Sequence, residues 1–446
     1  MNPTALPHPP DQPDEPTAAE LQAGLDYLFS FYEAGHRRQS GQFDRAVRSP
    51  EVFYRIASAL GLLPAPDKTI LVTGSKGKGT CARLTAHYLQ QAGYRVGLVL
   101  TPEELSHLDR IRLNGQAISG RDFLASLAAL KPALAQPVSQ PHYYHPPTAI
   151  FLLVALHHFQ QTGLDYLVIE GGRGAQFDEI SQIAAAVGVI TSVLPEHLSK
   201  LGPTLADVCA DKFSLMRHCA TLVCAPQAWA QAQAAGIAVP QTQLRLARAQ
   251  ASHDDARPSA AASSAPPPAW FDVANGLAQE TLAALGVASP ASSAPMALSP
   301  SCQRLDARLA PRLPSGTVVY LDGAITPQCL DLAYLRSAHC QPDAIVLGLS
   351  ADKNIAAIQA FLQANQFSNL FHFQAAGDPS DSAAPATHYS GRFDKQHGLD
   401  AASVAALDAL LRRHRRVYVI GVQVFLRAVR QALGVKALSG DTLAGQ

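Results

Sequence analysis

Short unbroken apolar runs alternate along this chain with stretches in which apolar residues recur every three or four positions. The runs at 69–72, 94–100, 166–170, 186–192 and 220–224 predict strands. The helical spacing falls at 21–32, 50–60, 81–92, 121–130, 147–162 and 204–216, with 147–162 apolar on nearly every face. Residues 102–119 read as a loop. After residue 245 the pattern fades: 252–269 and 288–301 are rich in Ala, Ser and Pro and read as linkers around a helix at 274–285. A second series follows, with strands at 318–321, 344–347, 370–373 and 417–420 and helices at 327–336, 355–364, 401–412 and 424–433. Residues 377–391 read as a polar loop. This alternation specifies an α/β fold with mainly parallel sheets, in which ligands gather at the carboxyl ends of strands. The expected division is a disordered tail at 1–18, a nucleotide-binding domain at 19–303 and a smaller α/β domain at 304–446.

A chain of 446 residues exceeds one ordinary core, which agrees with two domains. Lys+Arg and Asp+Glu both total 35, so bulk charge gives no reason to expect a nucleic-acid partner. No apolar run is long enough to span a membrane, and the Pro- and acid-rich start lacks the pattern of a signal peptide. Seven dispersed cysteines without a C-x-x-C pair read as reduced thiols in the cytoplasm. His218, Cys219 and Cys224 are close in sequence but match no common zinc spacing.

One stretch changes the picture from fold to chemistry. Leu71-Val-Thr-Gly-Ser-Lys-Gly-Lys-Gly-Thr80 joins a strand to a helix. Gly74, Gly77 and Gly79 let backbone N–H groups turn around an anion, with Ser75 and Lys76 between them, and the following helix adds its positive end. Lys78 is placed to reach terminal phosphates, and the Thr80 hydroxyl to hold Mg²⁺. Nothing structural requires two lysines beside three glycines, so a nucleoside triphosphate is the expected ligand. Glu170 ends a strand and is the hard oxygen ligand that Mg²⁺ prefers. His197 follows another strand; alone it reads as an ordinary histidine.

Several motifs, in order, resemble the folylpolyglutamate synthase/dihydrofolate synthase branch of the Mur ligase family. The phosphate loop is similar to T-G-x-N-G-K-G-S. Arg110-Ile-Arg-Leu-Asn-Gly-Gln-Ala-Ile-Ser119 is similar to R-I-x-x-N-G-x-x-I-S. Ile190-Thr-Ser-Val-Leu-Pro-Glu-His197 resembles I-T-x-I-x-x-D-H, and Ala210-Asp-Lys-Phe213 resembles the E-K-A that follows. Leu321-Asp-Gly-Ala-Ile-Thr-Pro327 resembles L-D-G-A-H-N-P. The resemblance implies a two-domain, Mur-ligase-like enzyme, the second domain Rossmann-like. It implies that ATP activates a carboxylate as an acyl phosphate, which an amine attacks to give an amide, ADP and phosphate. Lys78, His197 and Lys212 would be catalytic. Thr80, Glu170, His197 and a carbamylated Lys212 would line the metal sites. Asn275, Arg304 and Asp322 would contact the nucleotide.

The departures lie on the amine side. The family's histidine and asparagine are Ile325 and Thr326, and its T-G-S is Ile420-Gly-Val422. The loop asparagine is Lys76, and His145 stands where that branch often has glutamate. The expected function is an ATP- and Mg²⁺-dependent amide ligase acting on small carboxylates and amines such as glutamate, as a monomer or small homo-oligomer. Two alternatives stay open: a true folate enzyme with a rearranged glutamate site, and a non-catalytic nucleotide-binding regulator. Arg110 and Arg112 are equally suited to meet an acidic acceptor or to brace their own loop.

Overall fold

The computed structural model describes residues 15–36, 42–136, 145–247, 269–289, 302–350, 353–375, 388–394 and 398–435. Most of the expected tail and both expected linkers lie outside these residues.

The first sheet has eight strands, Thr69–Thr73 (β1), Val96–Val99 (β2), Ile111–Leu113 (β3), Gln116–Ala117 (β4), Tyr166–Glu170 (β5), Ala185–Ile190 (β6), Cys219–Cys224 (β7) and Leu244–Leu246 (β8). Their spatial order is β4-β3-β2-β5-β1-β6-β7-β8. All pairings from β2 to β8 are parallel, while β3 and β4 form an antiparallel edge. Ile70, Leu71 and Val72 are wholly buried, because helices cover both faces of the sheet. The chain leaves β1 past β5 on one side and meets β6 on the other, so the end of β1 is where the winding reverses. That point is the usual crevice for a ligand.

Local chemistry sets the helix ends. Pro147 opens Pro147–Thr162 at the position where its missing N–H costs nothing. Thr204 and Asp207 cap Leu205–Phe213 reciprocally.

The second sheet takes Cys302–Leu305 (β9), Val318–Asp322 (β10), Ala344–Gly348 (β11), Leu370–Ala375 (β12), His388–Asp394 (β13), Gly398–Leu399 (β14) and Arg416–Gly421 (β15), ordered β14-β13-β12-β11-β15-β10-β9. Period-two alternation splits its core in two. Val319, Leu321, Val417 and Val419 face one side, and Tyr320, Tyr418 and Ile420 the other. Because β9 pairs with β10, the second unit takes in Cys302 and Gln303, ahead of the expected start at 304.

The structure also corrects three local expectations. Residues 102–119 contain a 3₁₀ turn, β3 and β4 rather than only loop. The polar loop expected at 377–391 runs into β13. The helix expected at 327–336 is a 3₁₀ turn, Pro327–Cys329, followed by the short helix Leu332–Arg336.

The two units meet at several points. Leu194 of the first packs on the Tyr320 face of the second sheet. Arg427 bonds Glu103, and Gln431 Nε2 donates to the Leu105 carbonyl at 3.2 Å.

Candidate active site

The glycine-rich loop leaves the end of β1 and enters the helix Lys78–Gln91. Its shape depends on residues no side chain could replace. A Cβ on Gly74 would fall 2.0 Å from Thr191 Oγ1, and Gly77 has φ +84. The loop is fastened to the segment after β6. Ser75 N–H donates to the Ser192 carbonyl (2.9 Å), Lys76 N–H to Ser192 Oγ (2.8 Å), and Thr191 Oγ1 to the Lys76 carbonyl (2.7 Å). The strain of a tight turn is thus offset by bonds that fix it before any ligand arrives.

Lys78 is the first residue of the helix, and its Nζ donates to the Gly74 carbonyl at 3.0 Å. It lines a polar cleft of 360 Å³ together with Glu170, Glu196 and His197. Glu170 closes β5; its Oε2 accepts the Thr101 N–H at 3.0 Å, and a Cβ on Gly79 would lie 3.3 Å from the same oxygen. Burial pushes the Glu170 carboxyl up to about 7, with Lys78 pulling the other way. His197 has φ +51, and burial pushes its imidazole down to about 4, so it is neutral at pH 7. Thr80 is wholly buried beneath the loop.

Lys212 is where the expectation of a carbamate meets the geometry. It is 0% exposed, and its Nζ donates to the Gly74 carbonyl (2.9 Å), the Arg173 carbonyl (3.1 Å) and Glu196 Oε1 (3.1 Å). Three donors and three acceptors satisfy an ammonium. A carbamate would surrender donors to two carbonyls and set a negative charge beside Glu196. Burial pulls the Lys212 ammonium below its usual range. For Glu196 burial acts upward, but Lys212 and Lys78 outweigh it and hold the carboxyl low. Unmodified, Lys212 forms an ion pair with Glu196 that braces the floor of the phosphate loop.

Asp322 and Asn275 part company. Asp322, at the end of β10, accepts from Tyr418 Oη (2.7 Å) and the Ala324 N–H (2.9 Å), and Lys76 Nζ reaches it at 3.4 Å across the domain boundary. Asn275 turns inward, and its Oδ1 accepts from Tyr88 Oη at 2.6 Å. Its helix neighbours Val273, Ala274 and Leu277 instead line a second, mainly apolar cavity of 610 Å³. Arg304 lies on β9 with its guanidinium on Asp306 at 2.8 Å and lines neither cavity. Neither Asn275 nor Arg304, both expected to contact the nucleotide, lines either of these two cavities.

The far wall of the polar cleft comes from the second sheet. Ile325, Val422 and Val424 line it, with Gln423 and Lys353 as its polar members. Arg83 and Glu104, paired at 3.0 Å, also line the cleft and were not anticipated. Their one available signal was Arg83, one helical turn beyond Thr80. His145 lies away from the cleft, buried against Phe31. Arg110 is occupied by Glu103 and Arg112 by Asp109 and the Gly115 carbonyl, so both brace their loop.

Among the described residues no group of three or more His, Cys, Asp or Glu is arranged to hold a metal ion. The residues present nonetheless fit Mg²⁺, which binds through one or two carboxylates and completes its shell with phosphate oxygens and water. The buried carboxylate of Glu170 beside the loop is the matching group.

Residues 72–226 match the Mur ligase middle domain. Over 162 residues the chain is 30% identical to the dihydrofolate synthase/folylpolyglutamate synthase of Escherichia coli, covering 36% of this chain and 37% of that protein. It is 28% identical over 170 residues to the enzyme of the same name from Bacillus subtilis, covering 37% and 39%. The aligned part thus spans less than two-fifths of either curated relative. The fold extends further. A bifunctional folylpolyglutamate synthase/dihydrofolate synthase from Yersinia pestis, complexed with AMPPNP and Mn ion, superposes with TM-score 0.65 at 21% identity, covering 93% of this chain and 98% of that one. Folylpolyglutamate synthase from Thermotoga maritima gives 0.64 at 18%, covering 95% and 99%.

Proposed function

We propose that the chain, whose residues 72–226 match the Mur ligase middle domain, is an ATP-dependent amide ligase of the Mur ligase superfamily, in its folylpolyglutamate synthase/dihydrofolate synthase branch. In this reaction class the terminal phosphoryl group of ATP passes to a carboxylate, and an amine displaces it to leave an amide, ADP and phosphate. The observation that carries the reading is the pre-fixed phosphate loop, with Lys78, Glu170 and His197 lining one cleft between the two sheets.

Each group has a task its surroundings support. The loop N–H groups and Lys78 hold and neutralise the phosphates, and charge there is worth most where water is excluded. Glu170 and the Thr80 hydroxyl would hold Mg²⁺, which neutralises charge on the phosphate oxygens. Neutral His197 offers a lone pair rather than a second cation. Lys212 and Glu196 act from below by keeping the Gly74 carbonyl, and with it the loop, in place. The apolar cavity suits the base of the nucleotide, and Asp322 holds Lys76, which lines both cavity and cleft. Both substrates are small molecules, and the buried free cysteines fit a reducing cytoplasm. Among the described residues no helix is long and apolar enough to cross a membrane.

The acceptor is an amine whose recognition differs from that of the folate enzymes. Ile325 and Val422 face the cleft where that branch has polar side chains. The test is phosphate release from MgATP across a matrix of carboxylic acids, including dihydropteroate and folates, and amines, including glutamate. Release that requires both an acid and an amine supports the ligase. Release with folate and glutamate together would return the chain to ordinary folate chemistry. Tight ATP binding with no release for any pair would leave a nucleotide-binding regulator in place of an enzyme.

A further inference from the structure

The polar cleft and the apolar cavity share part of their lining, namely Lys76, Gly77 and Cys329. On the nucleotide reading above, a base in the apolar cavity and phosphates on the loop must be joined by a ribose that passes this shared wall. Lys76 occupies that wall. Its backbone is fixed by Ser192 and Thr191, while its side chain crosses to the second domain and bonds both Asp322 and the Cys329 carbonyl. Its side chain is only 12% exposed, and Asp322 is more deeply buried still.

We propose that Lys76 selects nucleotides by their phosphates: it bars the passage while held by Asp322 and leaves for the phosphate chain of a bound triphosphate. Any ligand that threads the passage must displace the ammonium from Asp322 and from the Cys329 carbonyl. A nucleoside offers no anion in exchange. A triphosphate does, because Lys76 is a member of the same loop that cradles the phosphates, and a charge-assisted bond to a phosphate oxygen replaces the one lost to the carboxylate. The residue is this chain's own, since the phosphate loop of the resembled branch has asparagine at that place. The lysine also ties nucleotide binding to the domain seam, because its departure frees one contact between the two units.

The test compares the full-length protein with Lys76→Asn by calorimetric titration of adenosine and of the MgATP analogue AMPPCP. Adenosine is expected to bind the variant about five-fold more tightly, since a part-buried pair no longer has to be broken. MgAMPPCP is expected to bind about ten-fold more weakly, so the preference for the triphosphate falls about fifty-fold. Lys76→Gln keeps the reach but not the charge. It should weaken MgAMPPCP similarly while leaving adenosine nearer the native affinity, and thermal melting of both variants checks that they fold. Adenosine binding that is unchanged, weaker or absent in Lys76→Asn overturns the proposal, and so does unchanged MgAMPPCP binding. Failure of MgAMPPCP to bind the native protein would instead remove the nucleotide reading, and this proposal with it.

Discussion

The two walls of the polar cleft are built on opposite plans. On the first-domain wall almost every polar group is held by a second one. Ser75, Lys76 and Thr191 fasten the loop, Lys212 and Glu196 support it from beneath, and Thr101 N–H orients Glu170. On the second-domain wall Ile325, Val422 and Val424 can position a substrate only by shape, with Gln423 and Lys353 as the polar members beside them. Chemistry common to every phosphoryl transfer requires fixed charge in fixed places. Choice of acceptor requires only that one wall fit one molecule, and that wall is free to change. On the proposed ligase reading, the contrast separates the phosphoryl-transfer side of the site from the side that would choose the acceptor.

The strongest way to break the comparison is at its fixed side. Lys78→Ala should lower ATP-dependent phosphate release by about a hundred-fold or more, by analogy with loss of one preorganised transition-state contact. Melting temperature should barely move, because the bond from Nζ to the Gly74 carbonyl is local. Unchanged release would remove phosphate stabilisation from this loop altogether. Lys212→Met tests the support rather than the contact. It leaves Glu196 buried without its cation, which should cost about 3–5 kcal/mol in urea unfolding. On the proposed ligase reading and the ion pair described, turnover of the native protein should not depend on added bicarbonate. A bicarbonate requirement would restore the carbamate and its place at the metal.

What the sequence discloses follows the same division. The central strands of the two sheets were legible because parallel strands covered on both faces are unbroken apolar runs, as at Ile70–Leu71–Val72 and Val417–Tyr418–Val419, whereas β8, β9, β13 and β14, at or beside the sheet edges, were not. Nor were other elements with no such signature. Strands of three and two residues, β3 and β4, are shorter than any period can reveal. The helix Pro226–Ala234 is mostly Ala and Gln and has no apolar stripe to announce it. At the site, the phosphate loop could be read because its glycines and lysines are consecutive. The partners that fix it, Thr191, Ser192 and Lys212, come from elsewhere in the chain and meet only through the fold. The cleft's far wall was legible as a pair of departures from a motif, while Gln423 beside them carried no signal.

The divergent wall gives the next test, of intermediate size. Ile325→His combined with Val422→Ser restores two polar side chains to the face opposite the phosphates. If the acceptor side alone has diverged, glutamate-dependent phosphate release should rise about ten-fold, the worth of one regained hydrogen bond to a charged group. The ATP concentration for half-maximal rate should stay within about two-fold. A change in ATP dependence without gain for glutamate would mean that the two walls do not act independently.

The smallest functional effect, and a discriminating one, is expected at Asn275. The motif resemblance assigns this residue to the nucleotide, yet its Oδ1 accepts from Tyr88 Oη at 2.6 Å inside the first domain. Val273, Ala274 and Leu277, on the same helix, line the apolar cavity in its place. Asn275→Ala should therefore leave MgAMPPCP affinity within about two-fold of native, while stability falls by about 1–3 kcal/mol because a buried hydroxyl loses its acceptor. Leu277→Gln should weaken the nucleotide by placing an amide in an apolar cavity, and because Leu277 is wholly buried it should lower stability as well. If Asn275→Ala instead weakens the nucleotide ten-fold at unchanged stability, the helix must turn this face toward the cavity when ligand binds. The apolar cavity would then be a property of the empty protein, and the division of labour between the two walls would begin only after the cleft closes.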